Sequence, residues 1–366
     1  MKILYVCNEV TKRNGWGVIN FHTINGAIES GHEVHVLTEV DAPSLIIAGV
    51  EYYPMLFDIG GIRQNPMQFI KSFFKLRNLL KSENYDVVHI LVEPYLLYFS
   101  ILNHPNIVLS LVGTYAISIF KDSVLSTLYK RALAKVNRLL AISDYTAAYF
   151  RKNVTDAYPI FVVPLGVDMG VFNFRYDPNH KKKQWFTLVG QLKERKGVKV
   201  AIKAIANLKE KYPEIKLHII GADNGNYAKS CKALVEELGV SGQVEFTGAL
   251  SQASLVDFYH NSIGNVLPSV NAEDGSFEGF GLIHLEANAC SILTIGSKDC
   301  GNESAIKEGI SGFLAEQNDD KSLSQCMEKI IKIHIDGDYE QYAHKCYQYA
   351  VQNSWDNYFK TVCNQY

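Results

Sequence analysis

The sequence predicts an α/β protein made of two Rossmann-like, doubly wound domains facing a central cleft. Short runs rich in Val, Ile and Leu alternate twice over with helical patterns, as buried parallel strands and their crossover helices do. A polar stretch containing Lys181-Lys182-Lys183 separates the two series. The chain has 366 residues, 47% of them hydrophobic, more than one core comfortably buries.

In the first series, strands are expected at 3–7, 33–37, 86–92, 106–113, 138–143 and 160–166. Between the first two, Val18, Phe21, Ile24 and Ile28 fall at helical spacing and Gly31 supplies a stop, which completes a βαβ unit. The second series has strands at 185–192, 216–222, 243–248, 264–269, 292–297 and 312–316. These patterns divide the chain into an N-terminal domain at 1–167, a linker at 168–184, a second domain at 185–338 and a helical segment at 339–366. The lysine run and Asp177-Pro178-Asn179-His180 read as a solvated linker. Asp336-Gly337-Asp338 reads as a turn between helices rather than a metal site.

Composition narrows the function. A formal net charge of −2 offers no basic domain for nucleic acid. Met1 to Cys7 carries one basic residue before a short apolar run and reads as a strand, not a leader. No apolar run reaches the length of a membrane span. The seven cysteines are scattered without CxxC spacing, so neither a disulfide framework nor a zinc site is expected, and a cytoplasmic, reduced protein is.

The most chemical segment is Glu278-Gly279-Phe280-Gly281-Leu282-Ile283-His284-Leu285-Glu286, two carboxylates eight positions apart around a glycine-rich turn that opens an apolar helix. Glycines at 279 and 281 let backbone approach a ligand, and the unpaired N–H groups of the helix start favour phosphate. Glu286, two turns in, could accept hydrogen bonds from the vicinal hydroxyls of a ribose. The same residues would also serve as a solvated acidic pair flanking a helix cap.

Taken in order, the motifs resemble those of the retaining glycosyltransferases of the GT-B fold, family 4, over nearly the whole chain. Glu278 to Glu286 resembles that family's E-x7-E element. Val189-Gly190-Gln191-Leu192-Lys193-Glu194-Arg195-Lys196-Gly197 resembles its phosphate loop, and Val163-Pro164-Leu165-Gly166-Val167-Asp168 with Phe172 its interdomain segment. Asn14-Gly15-Trp16-Gly17-Val18 sits where the family has a glycine-rich loop before its first helix, and Ser354-Trp355-Asp356 resembles its closing segment. Two positions depart from the pattern. Gln191 stands where the phosphate loop usually has Arg, and Val112 where a His usually precedes Gly113-Thr114.

The resemblance implies a retaining hexosyltransferase that moves a sugar from a UDP- or GDP-type donor to a hydroxyl of a glycan or lipid-linked acceptor, in cell-surface polysaccharide synthesis. It implies catalytic roles for Glu278 and Lys196, and donor contacts from Gly15, Gly17, Gly190, Gln191, Arg195, Gly279, Phe280, Gly281, Leu282 and Glu286. Thr114 and Tyr115 are the acceptor-side candidates. No metal and no cofactor beyond the donor itself are implied. An inactive sugar-nucleotide-binding subunit is the alternative that Gln191 and Val112 favour. A dinucleotide-dependent dehydrogenase is disfavoured, because the first βα turn lacks a full G-x-G-x-x-G with an acidic residue about 20 positions on.

The acceptor side carries one further signal. Over 68–82, Phe69, Phe73, Phe74, Leu76, Leu79 and Leu80 alternate with Lys71, Lys75, Arg77 and Lys81. Such a helix either packs its apolar face on the sheet or lies on an anionic membrane, which would place the protein at the inner face of that membrane.

Overall fold

The computed structural model describes residues 1–121, 124–173 and 180–366, and its chain divides into two compact units. The first holds Met1–Val163 and Trp355–Tyr366, the second Pro164–Ser354. Asp177, Pro178 and Asn179 of the expected linker lie outside the described residues.

In the first unit the elements run β1 (Lys2–Val6), α1 (Gly15–Glu29), β2 (Glu33–Glu39), β3 (Val50–Leu56), α2 (Pro66–Ser82), β4 (Val87–Ile90) and β5 (Ile107–Leu111). They continue through α3 (Tyr115–Ser118), α4 (Ser126–Leu133), β6 (Arg138–Ala141), α5 (Asp144–Asn153) and β7 (Ile160–Val162). All seven strands are parallel, in the order β3-β2-β1-β4-β5-β6-β7. The central ones are largely apolar and buried, because helices cover both faces of such a sheet. Six of the seven are those the sequence predicts. The exception, β3, is an edge strand with Pro54 inside it and mostly part-exposed residues, so it lacks the continuous apolar run that marks its neighbours.

The second unit contains β8 (Trp185–Val189), α6 (Val198–Leu208), β9 (Lys216–Ile220), α7 (Asn226–Glu237), β10 (Val244–Gly248), α8 (Gln252–Asn261) and β11 (Gly264–Val266). After these come α9 (Leu282–Ala289), β12 (Leu293–Ser297), α10 (Asn302–Ala305), β13 (Gly312–Ala315), α11 (Asp320–Ile335) and α12 (Tyr339–Gln352). Its parallel sheet has the order β10-β9-β8-β11-β12-β13. In each sheet the order reverses once, between β1 and β4 and between β8 and β11. Loops beyond the strands' C-terminal ends open a crevice at such points.

Both unit boundaries differ from the sequence reading. Residues 164–167 belong to the second unit, where Leu165 and Val167 are buried and the Val167 N–H donates to the Asn353 carbonyl at 2.9 Å. Helix α12 stays in that unit too: Tyr339 is buried and donates to the Ser291 carbonyl, and Cys346 lies in the core. Only at α13 (Trp355–Cys363) does the chain rejoin the first unit. There Trp355 stacks on His22 with ring centroids 4.5 Å apart, and Phe359 lies where a Cβ at Gly26 would fall, 2.5 Å from Phe359 Cγ. The terminal Tyr366 hydroxyl bonds Tyr5 and His89 beneath the sheet.

One local reading also changes. The lysine run is not simply solvated: Lys182 donates to the carbonyls of His260 and Ser262 and lies 5.3 Å from the Tyr339 ring centroid, and burial pushes its amine down to about 8. Ser291 adopts φ 63°, the left-handed conformation glycine enters without strain. Asp336-Gly337-Asp338 is the expected turn, with Gly337 at φ 86°.

Candidate active site

In the second unit, two loops at the reversal point meet. The first leaves β8 at Gly190, whose N–H donates to the Ile220 carbonyl at 2.8 Å, and ends at Gly197. Gly197 must be glycine twice over, since its φ is +64° and a Cβ there would sit 1.7 Å from the Pro268 carbonyl oxygen. The Val270 N–H donates to the Arg195 carbonyl at 3.0 Å, so this loop is fastened to the segment leaving β11.

The second loop is Phe277 to Gly281, which feeds α9. It is held from behind by the residues after β12: the Gly301 N–H donates to the Glu278 carbonyl at 2.8 Å, and Asn302 Nδ2 donates to the Phe280 carbonyl at 3.2 Å. A Cβ at Gly301 would lie 2.0 Å from the Gly279 carbonyl oxygen, which is why the two segments can touch. Gly281 has φ +95° and turns the chain into α9, whose first N–H groups, like those of any helix, lack intrahelical acceptors.

These constraints deliver a buried ionic cluster. Glu278 Oε2 accepts from Arg195 Nη1 and from Lys196 Nζ, each at 2.6 Å. Burial pushes the Glu278 carboxyl up, but Lys196 and Arg195 outweigh it and hold it down to about 2. Burial pushes the Lys196 ammonium down against the pull of Glu278. Two cations thus face one carboxylate, and the cluster keeps a net positive charge beside a helix N-terminus. Gln191, by contrast, is exposed. Arg195, whose aim sequence spacing alone did not settle, brings a second cation to the Glu278 carboxylate.

Glu286 is part-exposed in the second turn of α9, and burial of its carboxyl pushes it up to about 7, with Lys196 pulling the other way. The pH consequence has a definite sign. Between 4.5 and about 7 the folded state keeps a proton that the unfolded chain releases, so Glu286 lowers stability as pH rises through that window. Glu278 does the reverse: its contribution is present above 4.5 and lost as pH falls toward 2. Melting temperature followed across the first window should therefore fall less steeply in Glu286→Gln than in the wild type. An unchanged slope would place the carboxyl in water.

In the first unit, Gly15 and Gly17 are not a loop before the helix but its first turn. Asn14 caps α1, its Oδ1 accepting from the Gly17 N–H at 2.9 Å, so that amide already has a partner. Gly17 is glycine because a Cβ would fall 2.3 Å from Thr11 Oγ1, whereas Gly15 has open space around it. After β5, Gly113 turns at φ 86° into Thr114 and Tyr115, and the Tyr115 ring meets Trp16 with centroids 4.6 Å apart. The structure therefore joins Gly15–Gly17 to Thr114–Tyr115 within one unit, and Gly190, Arg195, Lys196 and Glu278–Glu286 within the other.

Sequence reasoning missed Gly301 and Asn302, which hold the Glu278 loop, and Glu93. Glu93 lies just past β4, fully buried, with Oε1 accepting from the Val112 N–H at 2.5 Å, and burial pushes its carboxyl up to about 8. Glu93-Pro94 after a strand was the available signal.

Comparison with known proteins gives two family matches that together span most of the chain. Residues 172–352 match the family described as glycosyl transferases group 1, and residues 13–171 match glycosyltransferase family 4. A D-inositol 3-phosphate glycosyltransferase of Corynebacterium urealyticum is 30% identical over 183 residues, 49% of this chain and 41% of that protein. The putative colanic acid biosynthesis glycosyltransferase WcaL of Escherichia coli is 27% identical over 208 residues, 57% of this chain and 51% of its own length. The chain thus spans about half the length of the curated relatives it matches. Among solved structures, sucrose-phosphate synthase from Thermosynechococcus elongatus superposes with TM-score 0.78 at 16% identity, covering 99% of this chain and 97% of that one. HepE from Anabaena in complex with UDP gives 0.76 at 16% identity, covering 100% and 99%. At these identities the likeness is one of fold.

Proposed function

The chain belongs to the group 1 and family 4 glycosyltransferases of the GT-B fold, and we propose that it is a retaining hexosyltransferase using a UDP- or GDP-type sugar donor. The observation that supports this best is the Glu278 carboxylate held by both Arg195 and Lys196 beside the N-terminus of α9. Two cations beside a helix N-terminus suit a diphosphate whose charge grows as it leaves. The likeness to a UDP-bound structure agrees with a uridine donor.

In this reading Lys196 and Arg195 exchange Glu278 for the donor's phosphates. Glu278, released from its cations, then accepts hydrogen bonds from the donor sugar, together with backbone at Gly279, Phe280, Gly281 and Leu282. Gly190 gives the diphosphate close access to the loop backbone, Gln191 stays at its margin, and Glu286 takes the ribose hydroxyls. The acceptor oxygen bonds to the anomeric carbon on the face the diphosphate leaves, and the acceptor proton passes to the departing phosphate oxygen, so configuration is retained and no covalent enzyme intermediate forms. These side chains supply the charge neutralisation without a metal. The acceptor is a hydroxyl of a glycan or glycolipid of cell-surface polysaccharide synthesis, as the similarity to a colanic acid enzyme suggests.

The test is nucleotide release from UDP- and GDP-sugars in the presence of simple glycosides, with thermal shift by UDP, GDP and ADP alongside. Release from one donor, accompanied by stabilisation from its nucleotide, is expected. Stabilisation with no release from any donor would favour the inactive binding-subunit reading, to which Val112 in the family's His slot points.

Helix α2 adds where the acceptor is met. It buries Ser72, Leu76 and Leu79 against its own unit, yet leaves Met67, Ile70 and Phe74 exposed as a second apolar stripe, with Ile101 64% exposed. Exposed Lys71, Lys75, Arg77 and Lys81 flank the stripe, and the helix contains no acidic residue. Of the two expectations for this helix, packing accounts for only one face. We assign the other to peripheral contact with an anionic membrane surface. Each cation contributes about 1 kcal/mol there. Replacing all four with Gln should release the protein from phosphatidylglycerol vesicles in a sedimentation assay while leaving its melting temperature in place. Equal sedimentation of the two proteins would end this assignment.

A further inference from the structure

We propose that Trp16 and Tyr115 form an aromatic platform that receives the apolar face of the acceptor's terminal pyranose. This rests on the transferase reading, and it names the acceptor chemistry that reading leaves open.

The two rings stand on the first turn of α1 and at the start of α3, beyond the C-terminal ends of β1 and β5, the strands that flank β4 beside the reversal point of the first sheet. That edge is where open α/β sheets take ligands. Tyr115 is 48% exposed and Trp16 is part-exposed, an unusual investment of large aromatic surface at the mouth of a sheet unless something covers it. Among the described residues, neither the indole N–H nor the Tyr115 hydroxyl is bonded, so both polar edges can reach ligand hydroxyls.

The geometry selects the ligand class. The ring planes meet at 46°, with centroids 4.6 Å apart, and form a shallow angle instead of parallel walls. A planar base stacks best between parallel faces. A pyranose has a puckered face of C–H groups and a rim of hydroxyls, which suits two inclined rings with a donor at each edge.

The platform is fixed from below. Asn14 caps the turn that carries Trp16, and Thr11 packs against Gly17 so closely that no side chain fits between them. On the other side the buried Glu93 holds the Val112 amide just before the Gly113 turn that presents Tyr115. Rings held on rigid backbone lose little freedom when a sugar docks.

The experiment uses the full chain, methyl α-D-glucopyranoside and methyl α-D-galactopyranoside as probes, and the variants Trp16→Ala, Trp16→Phe, Tyr115→Ala and Tyr115→Phe. In nucleotide-release kinetics, Trp16→Ala and Tyr115→Ala should raise KM for the glycoside about ten-fold. The Phe variants should recover most of that loss, and UDP affinity should stay within about two-fold. An unchanged glycoside KM overturns the platform, and so does a change that falls on UDP instead. If the wild type releases no nucleotide at all, the transferase reading fails while the platform is still testable. Glycoside quenching of tryptophan fluorescence, present in the wild type and absent in Trp16→Phe, supports the platform, and no quenching in the wild type overturns it.

Discussion

Lys196→Met is expected to lower the rate of nucleotide release by about 10²- to 10³-fold, the usual cost of removing one preorganised group that stabilises developing charge. The surrounding geometry says what should accompany that loss. Breaking a buried ion pair ordinarily destabilises a protein strongly, because an uncompensated charge is left inside. Here Glu278 would keep Arg195 at 2.6 Å, and the cluster would move from a net positive charge to a neutral pair. The unliganded melting temperature should therefore change little, while the stabilisation given by UDP should largely vanish. Arg195→Ala, leaving Lys196 in place, should show a weaker version of both effects, since the Arg195 side chain is more exposed than that of Lys196. If instead Lys196→Met melts early and still gains as much from UDP as the wild type, Lys196 is a structural partner of Glu278 and not a phosphate ligand.

Much of this arrangement was legible in the sequence, for a physical reason. Strands buried on both faces must be largely apolar, and the inner strands of the second sheet announce themselves that way. The one strand that escaped, β3, lies at an edge where water meets one side and proline is tolerated. Glycines with left-handed φ, such as Gly197 and Gly281, were equally readable, because the conformations they permit are local. What could not be read was anything decided by contact between distant segments. Arg195 and Lys196 are neighbours in sequence and their side chains would ordinarily diverge, yet both reach one oxygen because the Val270 amide fastens the loop. Gly301 has an unremarkable φ of −63°, and nothing around it in the chain says that it must be glycine. Glu93 became visible only through its burial, which places its carboxyl against the Val112 amide. The exposed apolar stripe of α2 shows the limit from the other side: spacing found the helix but could not say that it has two apolar faces.

Gly301 also gives the largest expected effect on stability, and it can be set against a substitution of the same chemistry with the opposite sign. Gly301→Ala places a methyl 2.0 Å from the Gly279 carbonyl oxygen, 2.1 Å from its carbon and 2.5 Å from the Phe280 nitrogen. All three are backbone atoms, so no rotamer change relieves the clash, and the 279–280 segment must move away from α10. Overpacking of this kind costs about 3 kcal/mol, or roughly 6–12 °C in melting temperature for a unit of this size. The movement would also break the Gly301 N–H bond to the Glu278 carbonyl and draw the carboxylate off its cations, so nucleotide release should fall with stability. Gly15→Ala provides the contrast. Gly15 is in the first turn of α1 with nothing near the new methyl, and alanine there should stabilise by about 0.5 kcal/mol through the lower entropy of the unfolded chain. Calorimetry of the two variants side by side separates the causes: a general intolerance of alanine for glycine would lower both melting temperatures. Only steric contact at the Glu278 loop lowers the first and raises the second.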